Sequence, residues 1–299
     1  ALLASQVQIR GVIMNTVIIP AYNEEKSIEP IVKDVYRVMA DREGAKPFEI
    51  IAVNDGSTDR TASILTRLRA DIPVLRVLEH KKQRGVGAAR SFAVREARGD
   101  KIAFIDADST YSADDLPAMF DKLYEYDMVI GARQEEKGTF KYLRLCLKFM
   151  FKSLASLLTK SRIQDLNSGI RGMDRAKAHE FLYLLPNGHS WVSTITLCFL
   201  ASGYPVDFVP VSYFTRRGKS SFKIFRDSYA MFMTIIKTII YFYPLRIILP
   251  ISYTLFLGGI AFLIRDIIAQ DIADTTILLL VMGVISFVFA LISEQMASI

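Results

Sequence analysis

The chain has 299 residues, 51% of them hydrophobic, with 37 Lys and Arg against 31 Asp and Glu for a net charge of +6. That apolar fraction excludes a disordered or low-complexity chain, and a mean hydropathy of +0.26 is high for a wholly soluble enzyme. Two cysteines, Cys146 and Cys198, exclude a disulfide framework and suit a reducing compartment.

The length allows about two domains. Residues 1–13 lack a charged segment followed by a long apolar core, so no secretory signal is legible there, and Met14 reads as a native start. From there to about residue 135, short apolar runs alternate with amphipathic segments. Strands are expected at 16–19, 48–53, 74–78, 102–105 and 128–130, and helices at about 27–42, 59–70, 86–98 and 114–125. Such alternation predicts an α/β fold, a mainly parallel sheet with helices on both faces. Ligands of these sheets bind beyond the carboxyl ends of the strands. Three predicted strands end there in polar clusters: Pro20-Ala21-Tyr22-Asn23-Glu24, Asn54-Asp55-Gly56-Ser57-Thr58-Asp59 and Asp106-Ala107-Asp108. This rim is the expected active-site edge.

Asp106 and Asp108 are two residues apart, so in extended backbone both carboxylates point to one side. Hard oxygen ligands of this kind suit Mg2+ or Mn2+. An ordinary acidic loop explains an isolated Asp-x-Asp equally well, and the other two clusters tip the balance. Gly56 permits close backbone approach, Ser57 or Thr58 can cap the next helix, and Asp55 can accept hydrogen bonds from a base or ribose. Gly85-Val-Gly-Ala-Ala-Arg90 places small residues at a helix start, where tight packing alone is a sufficient reason for them.

Residues 138–164 contain Lys141, Arg144, Lys148, Lys152, Lys160 and Arg162 and no acid. At helical spacing the first four share a face opposite Leu143, Leu147, Met150, Leu154 and Leu157, as in a helix lying in an anionic membrane interface. A helix packed on the catalytic domain with solvated lysines is the blander alternative. A second basic stretch holds Arg216, Arg217, Lys219, Lys223 and Arg226, and the remainder of the chain is net acidic. Residues 221–243 form an apolar lead-in of one or two juxtamembrane helices. Residues 247–264 and 275–293 then carry no formal charge, each close to the ~20 residues of a membrane span. The ten residues linking them hold one Arg and three Asp, whereas the cations precede the first span. By the positive-inside rule the hairpin loop faces out, and the catalytic domain and both termini are cytoplasmic. The expected organisation is an α/β domain at 14–220, juxtamembrane helices at 221–245, and a hairpin at 246–299 with spans near 246–265 and 275–294.

Val17-Ile-Ile-Pro-Ala-Tyr-Asn-Glu24, Val53-Asn-Asp-Gly-Ser-Thr-Asp59, Gly85-Val-Gly-Ala-Ala-Arg90, Asp106-Ala-Asp108 and Gly131-Ala-Arg133, in this order, resemble family-2 glycosyltransferases of the GT-A fold. Asp165-Leu-Asn-Ser-Gly-Ile-Arg171, Arg216-Arg-Gly-Lys-Ser-Ser-Phe-Lys223 and the closing hairpin narrow the resemblance to polyprenyl-phosphate glycosyltransferases, the dolichyl-phosphate mannose synthase-like group. It implies inverting transfer of a hexose from a nucleotide-diphosphate sugar to an undecaprenyl- or dolichyl-type phosphate. It also implies that Pro20, Ala21, Tyr22, Asn23, Glu24, Asp55, Gly56, Ser57, Gly85 and Arg133 hold the nucleotide sugar, and that Asp106 and Asp108 serve the metal. Some relatives carry Gln two residues after the second Asp as a metal ligand; Thr110 stands there here, and a hydroxyl is a poorer ligand than an amide carbonyl. The resemblance further implies a homo-oligomer formed through the membrane region.

A lipid phosphate is largely dianionic at pH 7, by analogy with phosphorylated side chains of second pKa ~6, and needs positioning more than deprotonation. Arg133, Arg171, Arg216, Arg217 and Lys219 are the cations expected to hold it, because guanidinium forks match phosphate oxygens. Asp165 is expected either to orient Arg171 or to act as a base, with orientation favoured. Processive polysaccharide synthases of this superfamily carry Gln-x-x-Arg-Trp, which is missing around the sole tryptophan, Trp191. The alternatives left are transfer to a different glycan or lipid acceptor, and a non-catalytic module that binds nucleotide sugar or anionic lipid. Nucleic-acid binding accounts for the basicity but not for the hairpin. No residue separates uracil from guanine donors; a UDP-hexose is favoured over GDP-mannose because the two-span tail resembles the bacterial-type members. His80, His179 and His189 are read as structural or surface residues, and Tyr22 and Trp191 as core aromatics before ligand stackers.

Overall fold

The computed structural model describes residues 14–41, 47–133, 163–214 and 224–297. Strands β1 (Asn15–Ala21), β2 (Phe48–Asn54), β3 (Leu75–Glu79), β4 (Lys101–Phe104) and β5 (Met128–Arg133) form at the five predicted places. Helices α1 (Ile28–Ala40), α2 (Thr61–Asp71), α3 (Val86–Glu96) and α4 (Leu116–Lys122) alternate with them. Two strands escaped the sequence reading, β6 (Arg171–Asp174) and β7 (Val206–Val211). β6 has four residues and no apolar alternation; β7 carries Asp207 and Pro210, which an edge strand tolerates.

The seven strands lie in the order β3-β2-β1-β4-β6-β5-β7. All pairings are parallel except those of β6, which runs antiparallel to both β4 and β5. Phe104 at the end of β4 therefore pairs with Arg171 at the start of β6. The chain leading into β6 thus arrives at the same edge where β4 ends. That reversal brings residues 163–170 to the predicted rim.

Period-2 alternation sorts each strand between two cores. Val17, Ile19, Ile50, Ala52, Ala103 and Ile105 face α1, α2 and α4, where Ile28, Ile31, Val32, Val35 and Met39 form the apolar stripe of α1. Ile18, Ile51, Val53, Ile102 and Phe104 face the other side, covered by α3, α5 (Arg175–Glu180) and α6 (Trp191–Ala201). Trp191 is fully buried there, its Nε1 donating to Ser91 Oγ at 2.8 Å, so the expectation of core packing holds.

The juxtamembrane lead-in is one helix, α7 (Ile224–Phe242), followed by α8 (Pro244–Ala269) and α9 (Asp274–Ala297). Only 11% and 17% of the apolar stretches of α8 and α9 are buried, unlike helices at a soluble core. The two pack closely: Ser252 Oγ donates to the Gly283 carbonyl at 2.8 Å, and a Cβ on Gly259 would come within 3.0 Å of the Leu280 nitrogen. A third apolar cluster joins Ile163, Leu166 and Leu197 to Phe232 of α7 and to Tyr243 and Ile247 at the start of α8. The loop before β6 therefore rests on the base of the membrane hairpin.

Candidate active site

The loops after β1 and β2 are laced by short polar side chains. Asn23, with φ 55, donates its N–H to Ser57 Oγ at 3.0 Å, and its Oδ1 accepts the Thr58 N–H at 2.8 Å. Glu24 N donates to Thr61 Oγ1 at 2.9 Å and Glu25 N to Asp59 Oδ2 at 3.1 Å. Several bonds to this carboxylate hold Asp59 below the usual carboxylate range against the opposing cost of burial. Pro20 and Ala21 are the last residues of β1, paired with Val53 and Asn54, and Tyr22 is half-buried beyond them.

Asp55 is buried and already held by the protein. Its Oδ1 is bonded to His80 Nδ1 at 2.7 Å and to Arg84 N at 3.0 Å, and its Oδ2 accepts Gly85 N at 2.8 Å. Gly56 takes φ +70, and a Cβ there would lie 2.6 Å from the Lys82–Gln83 peptide. Gly85 takes φ +103 at the start of α3. Both glycines are required, since a side chain would both strain the backbone and push apart the loops that Asp55 ties together. His80, stacked on Phe92 at 5.1 Å, is structural as expected, yet it belongs to the rim.

Asp106-Ala107-Asp108 leaves β4 as a turn, with Ser109 at φ 58, rather than as the extended pair the spacing suggested. The two non-glycine residues of the catalytic domain with positive φ among the described residues, Asn23 and Ser109, both lie on this rim. Strained backbone of that kind gathers at functional sites. Asp108 Oδ1 accepts from Thr110 N at 3.1 Å and from the Thr110 hydroxyl at 2.6 Å. Thr110 is buried and orients Asp108, so it does not present itself as the third metal ligand that the sequence suggested. No cluster of three or more His, Cys, Asp or Glu able to enclose a metal occurs among the described residues. The donor set is two carboxylates at one strand end, which fits Mg2+ or Mn2+, ions that keep waters and take further ligands from substrate phosphates.

The other half of the rim differs from expectation at two residues. Arg171 is fully buried. It donates to the Ser168 carbonyl through Nε at 3.2 Å and Nη2 at 2.5 Å, and through Nη1 to the Val192 carbonyl at 2.6 Å and Thr196 Oγ1 at 2.8 Å. Burial, with the nearby Arg90 charge, lowers its pKa to about 9, so it stays charged at pH 7. A lipid phosphate cannot reach it: Arg171 pins the loop before β6 onto α6. Asp165 accordingly orients Arg133, not Arg171, receiving Arg133 Nε at 2.7 Å and Nη2 at 3.1 Å. The Arg133 guanidinium also stacks 5.4 Å from the Tyr213 ring.

Three residues that sequence reasoning did not assign also belong here. Arg90 Nη2 donates to Asp106 Oδ1 at 2.8 Å. Tyr111 OH accepts the Gly169 N–H at 2.9 Å, and burial pushes its hydroxyl up to about 12, keeping it neutral. Tyr213 bridges to Tyr111 beside the Phe214 N–H, which donates to the Thr110 carbonyl at 2.9 Å. The arginine of the Gly85–Arg90 motif was the available signal for the first; nothing in the local sequence marks the two tyrosines. Arg216, Arg217 and Lys219, and the basic face within 138–164, lie outside the described residues.

Comparison with known proteins gives this rim a context. A dolichyl-phosphate beta-glucosyltransferase of Trichomonas vaginalis is 31% identical over 229 residues, 71% of this chain and 67% of the relative. A dolichyl-phosphate hexose transferase of Haloferax volcanii is 29% identical over 223 residues, 74% of this chain and 92% of the relative. The glucosyl-3-phosphoglycerate synthase of Mycobacterium tuberculosis, crystallised with Mn2+, uridine diphosphate and phosphoglyceric acid, superposes with a TM-score of 0.58 at 18% identity, covering 76% of this chain and 78% of that one. That likeness shows the fold, which is GT-A. Residues 243–299 match the family described as GtrB C-terminal hairpin, in keeping with α8 and α9, and the chain is a membrane protein. Residues 16–182, more than half the chain and spanning the rim from β1 through β6, match the family described as Glycosyl transferase family 2, and the chain is a member of it.

Proposed function

We propose that this glycosyltransferase moves a hexose from a nucleotide-diphosphate sugar to a membrane polyprenyl phosphate, with inversion. The observation that carries the reading is the loop before β6. It brings Asp165 onto the Arg133 fork of β5 at the edge that holds Asp55, Asp106 and Asp108, while Ile163 and Leu166 pack with Phe232, Tyr243 and Ile247 at the base of the hairpin. Donor loops and membrane thereby meet at one edge of the sheet. The names of the Trichomonas and Haloferax relatives support a polyprenyl-type acceptor.

The residues divide the work by their chemistry. The loops at 20–24 and 54–57, with Gly85, frame the nucleotide, and Asp55 fixes their relative position. Asp106 and Asp108 would hold Mg2+ or Mn2+, which would supply positive charge against the departing diphosphate. A phosphate oxygen of the lipid attacks the anomeric carbon as the bond to the nucleotide diphosphate breaks, and one such displacement inverts that carbon without a covalent enzyme intermediate. Because the lipid phosphate is already ionised, Arg133, Arg216, Arg217 and Lys219 orient it and Asp165 keeps Arg133 in place. The two-span tail, which resembles that of the bacterial-type members, supports a UDP-hexose over GDP-mannose. The excess of cations before α8 supports a cytoplasmic catalytic domain at 14–220, a juxtamembrane segment at 221–245, and a hairpin at 246–299 with its loop outside and both termini cytoplasmic. The family resemblance supports a homo-oligomer joined through the membrane region.

The test is transfer by the purified protein in nanodiscs with a polyprenyl phosphate, screened against UDP- and GDP-hexoses. Labelled lipid is expected from a UDP-hexose, with loss in EDTA and recovery with Mn2+ or Mg2+. Donor hydrolysis without lipid labelling, or EDTA-resistant transfer, would overturn the acceptor and the metal respectively.

A further inference from the structure

Arg90, in the second turn of α3, is buried, with 5% of its side chain exposed against 28% for its partner Asp106. Its Nη2 reaches Asp106 Oδ1 at 2.8 Å, and its Cζ stands 5.8 Å from the centre of the Trp191 ring. Its Nε is buried with no hydrogen-bond partner. The ion pair is therefore inverted relative to a stability device. Asp106 is open enough for water to solvate it, and the deeply buried member is the cation with a donor left bare. A buried, unsatisfied N–H is costly, and an apolar side chain of similar length would remove that cost while filling the same space. Besides the Trp191 ring, the charge of this arginine is spent on Asp106.

The other carboxylate oxygen is confined from the opposite side. A Cβ on Gly169 would lie 1.9 Å from Asp106 Oδ2 and 2.7 Å from Asp106 Cγ, so the carboxylate rests against bare backbone. Gly169 does not need its glycine for a positive φ, since among the described residues the glycines with that conformation are Gly56, Gly85 and Gly203. It needs the missing side chain. Gly169 is itself held by its N–H to Tyr111 OH at 2.9 Å, and the same loop is pinned by Arg171 at the Ser168 carbonyl.

We propose that Arg90 and Gly169 are positioning residues that clamp the Asp106 carboxylate from opposite sides, keeping it in one orientation for the metal–diphosphate group of the donor. The charge-assisted bond from Arg90 fixes Oδ1, and contact with Gly169 stops rotation of Oδ2. Three segments distant in sequence, α3, the turn after β4 and the loop before β6, then define a single carboxylate. Such a group must be held to about 0.5 Å to act on a reacting centre.

This inference rests on Asp106 being a donor-site residue, so the experiment includes Asp106→Asn. Full-length protein in nanodiscs is titrated calorimetrically with UDP and with GDP, each with Mn2+, and melting temperatures and donor KM and kcat are measured alongside. Arg90→Met and Gly169→Ala are expected to weaken the Mn2+–nucleotide complex at least tenfold, raising donor KM more than they lower kcat. Arg90→Met is expected to melt at or above the wild-type temperature, and Arg90→Lys to recover part of the affinity. Wild-type affinity in Arg90→Met and Gly169→Ala, with Asp106→Asn impaired, overturns the clamp alone. Wild-type affinity in Asp106→Asn, or no nucleotide binding by the unmodified protein, overturns the donor-site reading beneath it. Should Arg90→Met fail to fold, Arg90→Lys and Gly169→Ala decide: affinity within twofold of wild type in both overturns the clamp.

Discussion

The two halves of the sheet edge are built with different bonds. Beyond β1, β2 and β3, short side chains tie loop to loop through backbone amides and one imidazole: Asn23 and Ser57 across one gap, Asp55 to the His80 ring and to the Arg84 and Gly85 amides across the next. Beyond β4, β6 and β5 the fastenings are arginines: Arg90 to Asp106, Arg133 to Asp165, and Arg171 to the Ser168 and Val192 carbonyls. The first half is a rigid backbone platform of the sort a nucleotide lies on, and the second half is a set of aimed charges. Within that second half the arginines also differ. Arg171 is buried with bonds from all three guanidinium nitrogens, whereas Arg90 is buried with a bare Nε. Burial by itself does not mark a functional arginine; the completeness of its bonding separates the one that holds the fold from the one that serves the site.

That contrast can be broken at several points. The largest effect is expected at the metal carboxylate: Asp108→Ala should lower transfer by roughly 10²–10³-fold or more, a scale typical of losing one electrostatic group at a reacting centre, while membrane insertion and folding persist. Near-normal turnover with lipid phosphate would remove Asp108 from the site. Next comes Arg171→Met, which strands the buried Ser168 carbonyl and removes a donor from the Val192 carbonyl and the Thr196 hydroxyl, a pair that stays bonded to each other, and should cost about 2 kcal/mol of stability or more, seen as a lowered denaturation midpoint. Equal destabilisation by Arg171→Met and Arg90→Met would erase the distinction drawn above. Asp165→Asn keeps the shape but loses the charge that orients Arg133; acceptor KM should rise roughly tenfold, about 1.4 kcal/mol, with donor KM unchanged. A rise in donor KM instead would move Arg133 to the nucleotide side. The smallest effect is expected far from the rim, where Ser252→Ala removes one bond between α8 and α9 and should cost about 0.6 kcal/mol in an unfolding titration, leaving turnover intact.

The first five strands and four helices were legible because each carries its own periodic pattern and each rim cluster directly follows its strand. Local pattern could not show β6: Arg171-Gly-Met-Asp174 has no alternation, and its antiparallel pairing with β4 is a long-range event. The misreading of Arg171 follows from that. In sequence it sits in a polar Ser-Gly-Ile-Arg motif that looks exposed, but the reversed strand turns its side chain beneath the sheet onto α6. His80 and Arg90 were passed over for the same reason, since their partners Asp55 and Asp106 lie 25 and 16 residues away.

By itself the amino-acid sequence determined the αβ alternation, the identity and order of the rim loops, the paired carboxylates and the membrane hairpin. All of these are written in local composition and spacing, which short stretches of chain express without help from distant ones. Only the tertiary structure decided which charges face each other: that Asp165 takes Arg133, that Arg171 is structural, and that Asp106 is gripped between Arg90 and Gly169. An ion pair forms where strand order and direction bring two side chains within about 3 Å, and one antiparallel strand in an otherwise parallel sheet was enough to exchange the partners.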